Sequence, residues 1–219
     1  METNKMKKII LALAVLAAVV CPVFAGESWI GVTTGPAFEM SNSDDYKDQI
    51  GESFVTDFNW DVNVEGAYYF NEAETMGIGA KLGFGFNFGT TFDNDLPVKM
   101  DNPAAGTRIA PAVTFQYRLG LTDALDLRMG AGLQYVYTIC NGTEGMPSDI
   151  DIYMHNLEVV ANADVAYSFG SFQVFGGIDL GVSVMCYQGV KAGGHSEGDF
   201  ITDGFQMSVT PRVGVSYAF

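Results

Sequence analysis

The chain has 219 residues, enough for one barrel or sandwich domain, and it carries 26 acidic residues against 11 basic ones. The resulting formal net charge of −15 argues against nucleic acid as a partner, because phosphate backbones are bound by basic surfaces. Such a charge bears on solubility and long-range repulsion rather than on fold.

Residues 1–25 are predicted to be a secretory signal peptide. Three lysines precede an apolar run at residues 9–20, and Val23 and Ala25 supply small residues at positions −3 and −1 of a cleavage site. The run is too short to cross a bilayer as a helix. We therefore expect cleavage after Ala25 and one mature domain at residues 26–219.

A first strand is predicted at residues 28–40, and a longer one follows at residues 54–70. In the longer strand every second residue from Phe54 is almost always apolar, whereas the intervening positions include Asp57, Asp61 and Glu65. Because successive side chains of a strand point to opposite faces, one face is apolar and the other acidic. This length and pattern favour a membrane barrel with a polar lumen, and a half-buried strand of a soluble sandwich is the alternative.

The same alternation continues to the end of the chain. Further strands are predicted at residues 76–88, 107–121, 125–139, 153–169, 172–187 and 205–219. Long, mostly acidic loops at 41–53, 89–106, 141–151 and 188–204 alternate with short connections at 71–75, 122–124 and 170–171. Strand 76–88 has four glycines on its polar face, which leave room for long polar side chains in a narrow lumen.

Eight long strands with alternating short and long connections are typical of an outer-membrane barrel, with short turns on the periplasmic side and long loops outside. A soluble sandwich gives no reason for this segregation of loop lengths. Aromatic residues also gather near both strand ends, as membrane interfaces require. The predicted fold is an all-β, eight-stranded antiparallel up-and-down transmembrane barrel in the outer membrane of a diderm bacterium.

The signal peptide, the eight amphipathic strands and the terminal sequence VGVSYAF together resemble the small outer-membrane barrels of the OmpA, OmpX, OmpW and opacity-protein type. In that group, a C-terminal aromatic preceded by alternating apolar residues is read by the barrel-assembly machinery. The resemblance implies that role for Val213, Val215, Tyr217 and Phe219. It implies architecture strongly and activity hardly at all.

The inward-facing charges suggest a plugged lumen, because an eight-stranded barrel is barely wide enough for its own side chains. Register places Glu65 opposite Lys81 and Asn162 opposite Asp179. Three arginines lie in the half nearer the short turns, with two aspartates available as partners. The predicted charge network comprises Glu65, Lys81, Arg118, Asp126, Arg128, Asp164, Asp179 and Arg212. A narrow OmpW-like passive channel for small solutes, preferring cations at its mouth, is the alternative.

The predicted partners are outer-membrane lipid, the barrel-assembly machinery and an extracellular partner bound through the four long loops. The acidic loops otherwise serve as a solvated rim, and their Asp-x-Asp spacings lack the remaining ligands of a calcium loop. We expect no metal, no cofactor and no nucleic acid.

An enzyme is not expected. The only histidines are His155, at an outward position near the loops, and His195, in a glycine-rich loop. A lipid-modifying hydrolase or acyltransferase using His and Ser is a remote alternative, because no matching arrangement lies on a strand. Cys140 and Cys186 are predicted to be unpaired, since they are assigned to opposite faces of separate strands.

Pro36, Pro111 and Pro211 all take outward, mid-strand positions. Each removes a ladder donor in a fold without edges, so we predict local bulges or bends at these three residues.

Overall fold

The computed structural model describes residues 27–42, 54–71, 73–92, 106–141, 150–201 and 204–219. The predicted signal peptide and its cleavage site lie outside these residues, as do most of the first three predicted long loops.

The described residues form nine β-strands that follow the alternation of the sequence. Their bounds are β1 Ser28–Asn42, β2 Phe54–Tyr69, β3 Met76–Phe92, β4 Gly106–Gly120, β5 Leu125–Asn141, β6 Ile150–Phe169, β7 Phe172–Ala192, β8 His195–Ile201 and β9 Phe205–Ala218. None of the described residues belongs to a helix long and apolar enough to cross a membrane.

Eight of these strands close into an antiparallel barrel. Neighbouring strands pair in chain order from β1 to β7, β9 pairs with both β7 and β1, and β8 pairs only with β7. Mutual backbone hydrogen bonds between Ser28 and Phe219, at 3.0 and 2.8 Å, join the start of β1 to the residue that follows β9. The predicted eight-stranded barrel is confirmed.

All eight predicted strands are present in the barrel, but several of them extend further toward the loops. The prediction of a loop over residues 188–204 is wrong, because β7 continues to Ala192 and β8 returns beside it as a hairpin. Gly193 and Gly194 form its turn with φ of 56° and 86°, a region that glycine adopts without strain. At the other end, Phe169 pairs with Phe172, which confirms the two-residue turn at Gly170 and Ser171.

The prolines interrupt pairing without shifting its register. Pairing of β1 with β9 stops after Thr34 and resumes at Phe38, and β4–β5 pairing stops after Ile109 and resumes at Ala112. On its other side each proline stays in register with its neighbour. Within the described strands the bulges lie elsewhere, at Phe58/Asn59 and at Leu157/Glu158. Pairing is therefore interrupted beside each proline, whereas the predicted bulges at the prolines are wrong.

The two faces of the barrel wall separate as predicted. Buried residues are mainly polar or charged, and the exposed large residues are mainly apolar or aromatic. Asp61 is 5% exposed while its neighbour Trp60 is 47% exposed, so the carboxylate faces inward and the indole outward. Exposed aromatics at the short-turn end include Phe70, Tyr117, Tyr167, Phe172 and Tyr217. The core of this protein is a polar lumen inside an apolar wall.

Candidate functional site

The lumen is the candidate site, and its charges form three layers. We call the end with the short turns the turn side and the opposite end the loop side. Arg108 lies in the loop-side layer, Arg212 and Lys81 lie in the middle layer, and Arg118 and Arg128 lie in the turn-side layer. Each layer joins residues from several strands, so each is assembled only when the barrel closes.

Arg212 of β9 is the centre of the middle layer. Its guanidinium contacts three carboxylates from three other strands: Nη1 binds Glu65, Nη2 lies 2.6 Å from Asp164 Oδ2, and Nε lies 3.0 Å from Asp179 Oδ1. Lys81 Nζ lies 2.7 Å from the other oxygen of Asp179. The layer therefore ties together β2, β3, β6, β7 and β9 across the lumen.

Glycines decide which side chains meet. Asp164 and Arg212 both have Gly177 as their direct cross-strand neighbour, one on each side, and their ion pair passes over it. Asp61 and Arg108 meet in the same way over Gly85, with 2.7 Å between Oδ2 and Nη1. A third pair, in which Gln116 donates to Asn162, passes over Gly130. A Cβ at any of these glycines would overlap a side chain of the pair that crosses it. We call these three contacts glycine-spanned pairs.

The loop-side layer has more carboxylates than cations. Arg108 contacts Asp61 and also Glu39, whose Oε1 lies 3.0 Å from Arg108 Nε without hydrogen-bond alignment. Glu158 is 1% exposed and accepts hydrogen bonds of 3.2 Å from Gln134 and Ser208. Among the described residues, no Lys or Arg forms an ion pair with Glu158. Because Ser208 is also the cross-strand neighbour of Glu39, the two glutamates belong to one acidic region.

Aromatic rings and two arginines close the turn side. The Arg128 guanidinium carbon lies 4.7 Å from the Trp29 ring centroid and 5.6 Å from that of Phe175, and its Nη2 donates to Gln173. These rings belong to a small buried cluster that also contains Ala67, Tyr69 and Ala166. Cation–π contacts of this kind stabilise a buried guanidinium that has no carboxylate partner.

Arg118 binds Glu27, the residue that precedes β1. Its Nη1 lies 2.6 Å from Glu27 Oε1, and its Nη2 lies 3.6 Å from Glu74 Oε2. The hydrogen bond from Arg118 lowers the pKa of Glu27 below its usual value, and partial burial opposes this shift. Glu27 is thus held in its charged form at the mouth of the turn side.

The structure brings together five of the eight predicted network residues in the middle layer: Glu65, Lys81, Asp164, Asp179 and Arg212. Glu65 is the cross-strand neighbour of Lys81, and Asn162 is that of Asp179, as the predicted register requires. The ion pairs themselves run to other partners, because Lys81 binds Asp179 and Glu65 binds Arg212.

Two arginines do not bind the carboxylates that were expected as their partners. Arg118 binds Glu27 and Glu74 rather than Asp126 or Asp164, and Arg128 binds Gln173 and aromatic rings. Asp126 lies half-buried on the inward face and makes no ion pair with the described residues. Glu39 and Arg108 are inward by strand parity but lie outside the predicted network, and the alternation of the strands also places Trp29 and Phe175 inward.

The two histidines do not form a catalytic arrangement with each other. His155 faces outward in a cluster with Tyr135, Tyr137, Tyr153 and Tyr187, and its ring centroid lies 4.8 Å from that of Tyr137. Its Nδ1 shares a hydrogen bond with the Tyr135 hydroxyl. His195 begins β8 and is exposed. The expectation that the chain is not an enzyme stays a prediction.

Cys186 is a free thiol, in agreement with the prediction, and it faces the lumen, although unbroken alternation along β7 would place it on the outer face. The bulge near Leu157/Glu158 inserts one extra residue into β7, and beyond it Cys186 becomes the cross-strand neighbour of the buried Asn156. The side chain of Cys140 lies outside the described residues.

Val213, Val215, Tyr217 and Phe219, the residues of the expected assembly signal, all lie on the exposed outer face at the end of the chain. Recognition by the assembly machinery stays a prediction. The loop-side partner surface over residues 41–53, 89–106 and 141–151 lies largely outside the described residues.

Several solved bacterial outer-membrane proteins share this fold. Neisserial surface protein A superposes with a TM-score of 0.54 at 12% identity, covering 89% of this chain and 100% of that chain. A major outer membrane protein from Thermus thermophilus gives 0.55 at 11% identity, with coverage of 89% and 100%. The outer membrane protein OprG from Pseudomonas aeruginosa gives 0.51 at 15% identity, with coverage of 90% and 97%. At these identities the likeness shows the fold alone: a small outer-membrane β-barrel.

No protein-family model matches the chain, and no curated protein sequence matches it.

Proposed function

We propose that the protein is an integral outer-membrane barrel of a diderm bacterium, with a lumen closed by paired charges and acidic loops that serve a structural and surface-interaction role. The observation that carries the proposal is the position of Arg212 at the centre of the lumen, in contact with three carboxylates. Outer-membrane lipid then surrounds the apolar wall, and the barrel-assembly machinery reads the terminal strand.

The middle layer supports closure because its ion pairs are buried. Arg212 and Asp164 are 4% and 3% exposed, and Glu65 and Asp179 are each 8% exposed. Breaking a buried pair by removing one partner leaves an uncompensated charge, which costs about 3–5 kcal/mol. Displacing Arg212 to open a path would break three such contacts at once. The layer therefore acts as a fixed plug.

A narrow channel is the second candidate, and one observation favours it. A space of about 160 Å³ lies at the loop side of the lumen and is lined in part by Glu39 and Asp57. Solutes entering this acidic mouth would be cations or neutral molecules, as the charge of the lining requires. To cross the barrel they would have to pass the middle layer.

Planar-bilayer conductance of the refolded mature protein separates the two candidates. We expect no discrete openings from the wild type, and openings after the double substitution Glu65→Ala and Arg212→Ala, because it removes the plug and two opposite charges together. Lys191→Ala, in the hairpin outside the barrel wall, is the matched control and should behave as the wild type. Stepwise, solute-selective openings of the wild type would reject the plug in favour of the channel.

Loop exchange on intact cells tests the surface role. Replacing residues 41–53, 89–106, 141–151 or 188–204 one at a time with Gly/Ser linkers should reduce cell-surface binding of a partner for at least one loop, because exposed loops on a rigid scaffold carry recognition. Unchanged binding for all four loops would remove the surface-interaction part of the proposal and leave the closed barrel.

A further inference from the structure

A cluster of aromatic rings covers part of the outer face of β5 to β8 at the loop side. Its described members are Tyr135, Tyr137, Tyr153, His155, Tyr187 and Phe200. Phe200 is 54% exposed and Tyr135 is 42% exposed, and the other members are half-buried. The cluster points away from the lumen, so it is a second candidate site that does not depend on whether the lumen conducts.

Two glycines let two of the tyrosine rings lie along the sheet. Gly189 of β7 has Tyr153 as its direct cross-strand neighbour on one side and Gly198 of β8 on the other. A Cβ at Gly189 would overlap the Tyr153 ring, and a Cβ at Gly198 would lie 2.7 Å from the Tyr187 hydroxyl oxygen. The two ring planes are inclined by 32°, with centroids 6.2 Å apart. A ring that lies along a sheet presents a face, rather than an edge, to the outside. We call Tyr153 and Tyr187 with the two glycines beneath them the tyrosine platform.

Hydroxyl groups border the tyrosine platform. Tyr153 Oη lies 2.6 Å from Ser196 Oγ, and the Tyr135 hydroxyl shares a hydrogen bond with His155 Nδ1. In the pair of Tyr153 and Ser196 one hydroxyl donates to the other, so the accepting hydroxyl keeps its own O–H for another acceptor. The surface therefore combines apolar ring faces with unused hydrogen-bonding capacity.

The tyrosine platform lies at the height of the lipid headgroups. Along β6, His155 precedes Tyr167, one of the exposed aromatics at the turn side, by twelve residues. A tilted strand rises by about 30 Å over that length, compared with about 25 Å for the apolar band of an outer-membrane barrel. Tyr153, Gly189 and Gly198 share a position two residues further toward the loops. The platform is therefore continuous with the lipid-facing wall but stands beyond its apolar band.

The β7–β8 hairpin separates its charges between its two faces. Ser196 binds the cluster, so it marks the outer face of β8. Glu197 and Asp199 lie at odd offsets from it and point to the opposite face. On the outer face of the described hairpin and the adjacent end of β6, the charged pair is Lys191 and its cross-strand neighbour Asp151, whose charges cancel. In a chain of net charge −15, this outer face is therefore neutral.

A sugar ring has the chemistry that fits this surface. One face of the ring consists of C–H groups that pack on aromatic faces, and its rim consists of hydroxyl groups. A quaternary ammonium headgroup also stacks on aromatic rings, but here it would meet no surplus of negative charge.

We infer that the tyrosine platform binds one neutral sugar ring, in the headgroup of a glycolipid of the outer leaflet. The inference rests on the proposed location in the outer membrane and adds the class of headgroup that the barrel holds at this side.

Photo-crosslinking in lipid nanodiscs tests the inference. The refolded mature protein is placed in phosphatidylcholine nanodiscs that contain monoglucosyl diacylglycerol with a diazirine on the glucose ring. After illumination, peptide mass spectrometry should find the sugar probe mainly on the loop-side ends of β6, β7 and β8. A second probe, with the diazirine on the acyl chain, should label the outer wall all around the barrel.

Three variants make the test specific. Tyr187→Leu should reduce crosslinking at the platform by about fivefold, the lower end of what loss of one stacking ring costs. Tyr187→Phe keeps the ring face and should retain most of the crosslinking. Tyr167→Leu, in the turn-side belt and 55% exposed, is the matched control and should crosslink at the platform as the wild type does, since both leaflets of a nanodisc carry the probe.

The two probes separate failure of the inference from failure of the proposed location. Acyl-chain labelling of the wall without a sugar-dependent difference between wild type and Tyr187→Leu would overturn the tyrosine platform alone. The same result would follow from equal sugar labelling of both aromatic belts, or from stronger labelling of the platform by a diazirine-bearing choline lipid. Absence of labelling by both probes would overturn the membrane location and the platform together.

Discussion

At the scale of single residues, the lumen depends on where side chains are missing. Two inward side chains on strands that are next but one to each other can meet directly above a residue of the strand between them when that residue is glycine, because glycine places no side chain in their path. The three glycine-spanned pairs all meet this condition, at Gly85, Gly130 and Gly177. Glycine weakens an ordinary strand, but here it makes the polar contacts of the lumen possible.

Gly177→Ala should therefore destabilise the barrel, because the new methyl group would overlap Asp164 and the carbonyl oxygen of Ala163. Overpacking a filled interior costs about 1–3 kcal/mol. The measurement is the free energy of unfolding in urea for protein refolded into lipid vesicles.

Gly176→Ala is the matched control. A Cβ at Gly176 would come no closer than 3.7 Å to its nearest neighbour, so the free energy of unfolding should change by less than about 0.5 kcal/mol. Equal losses for the two variants would show that strand propensity, rather than the glycine-spanned pair, sets the effect.

At the scale of elements, the strands are held by contacts at their ends as well as along their ladders. The β1–β9 ladder is interrupted over Gly35–Ala37, where Pro36 and Pro211 stand at matching positions. The start of β1 is fastened independently, because Glu27 binds Arg118 at the end of β4 and its carbonyl oxygen accepts a 3.0 Å hydrogen bond from Tyr69. The start of β1 is therefore held by polar contacts of Glu27 next to the interrupted β1–β9 ladder. We call the contacts of Glu27 with Arg118 and Tyr69 the clasp.

The clasp predicts a dependence of stability on pH. The pKa of Glu27 is lower in the folded protein than its reference value of 4.5, so its contribution is complete above about pH 4.5 and is lost as pH falls through the folded pKa. Glu27→Gln should reduce the difference in urea midpoint between pH 7 and pH 3.

Glu74→Gln is the comparison for this variant. Glu74 lies further from Arg118, at 3.6 Å, and its side chain is 46% exposed, so its effect on the same difference should be smaller. The clasp would be refuted if Glu27→Gln retained the full wild-type difference between the two pH values.

At the scale of the whole molecule, the protein is a polar core inside an apolar shell. Exposed apolar side chains cover the outer wall on every barrel strand, whereas the buried set is dominated by charged and amide side chains. A closed ladder leaves no strand edge within the barrel wall, which is what lipid requires of a spanning sheet. The β7–β8 hairpin extends beyond that closed ladder.

A charged residue placed on the outer wall tests whether lipid surrounds that wall. Val113 lies at the middle of β4 and is 61% exposed, so Val113→Arg should lower the free energy of unfolding in phosphatidylcholine vesicles by about 2–4 kcal/mol. Val190→Arg, in the hairpin and 43% exposed, should change it by less than about 0.5 kcal/mol. Equal tolerance of both charges would mean that lipid does not surround Val113.

The sequence by itself determined the strands, their faces and the closed eight-stranded barrel, because alternation of side chains is a local property of an extended backbone. Direct cross-strand neighbours such as Glu65 and Lys81 could also be predicted from the sequence, since a short turn sets the register between two strands.

Only the tertiary structure decided which charges pair. Arg212 meets carboxylates from three strands that are distant in sequence, and those contacts depend on the stagger and closure of the barrel. The inward orientation of the Cys186 side chain also could not be predicted from the sequence, because one extra residue at a bulge reverses the facing of every residue beyond it.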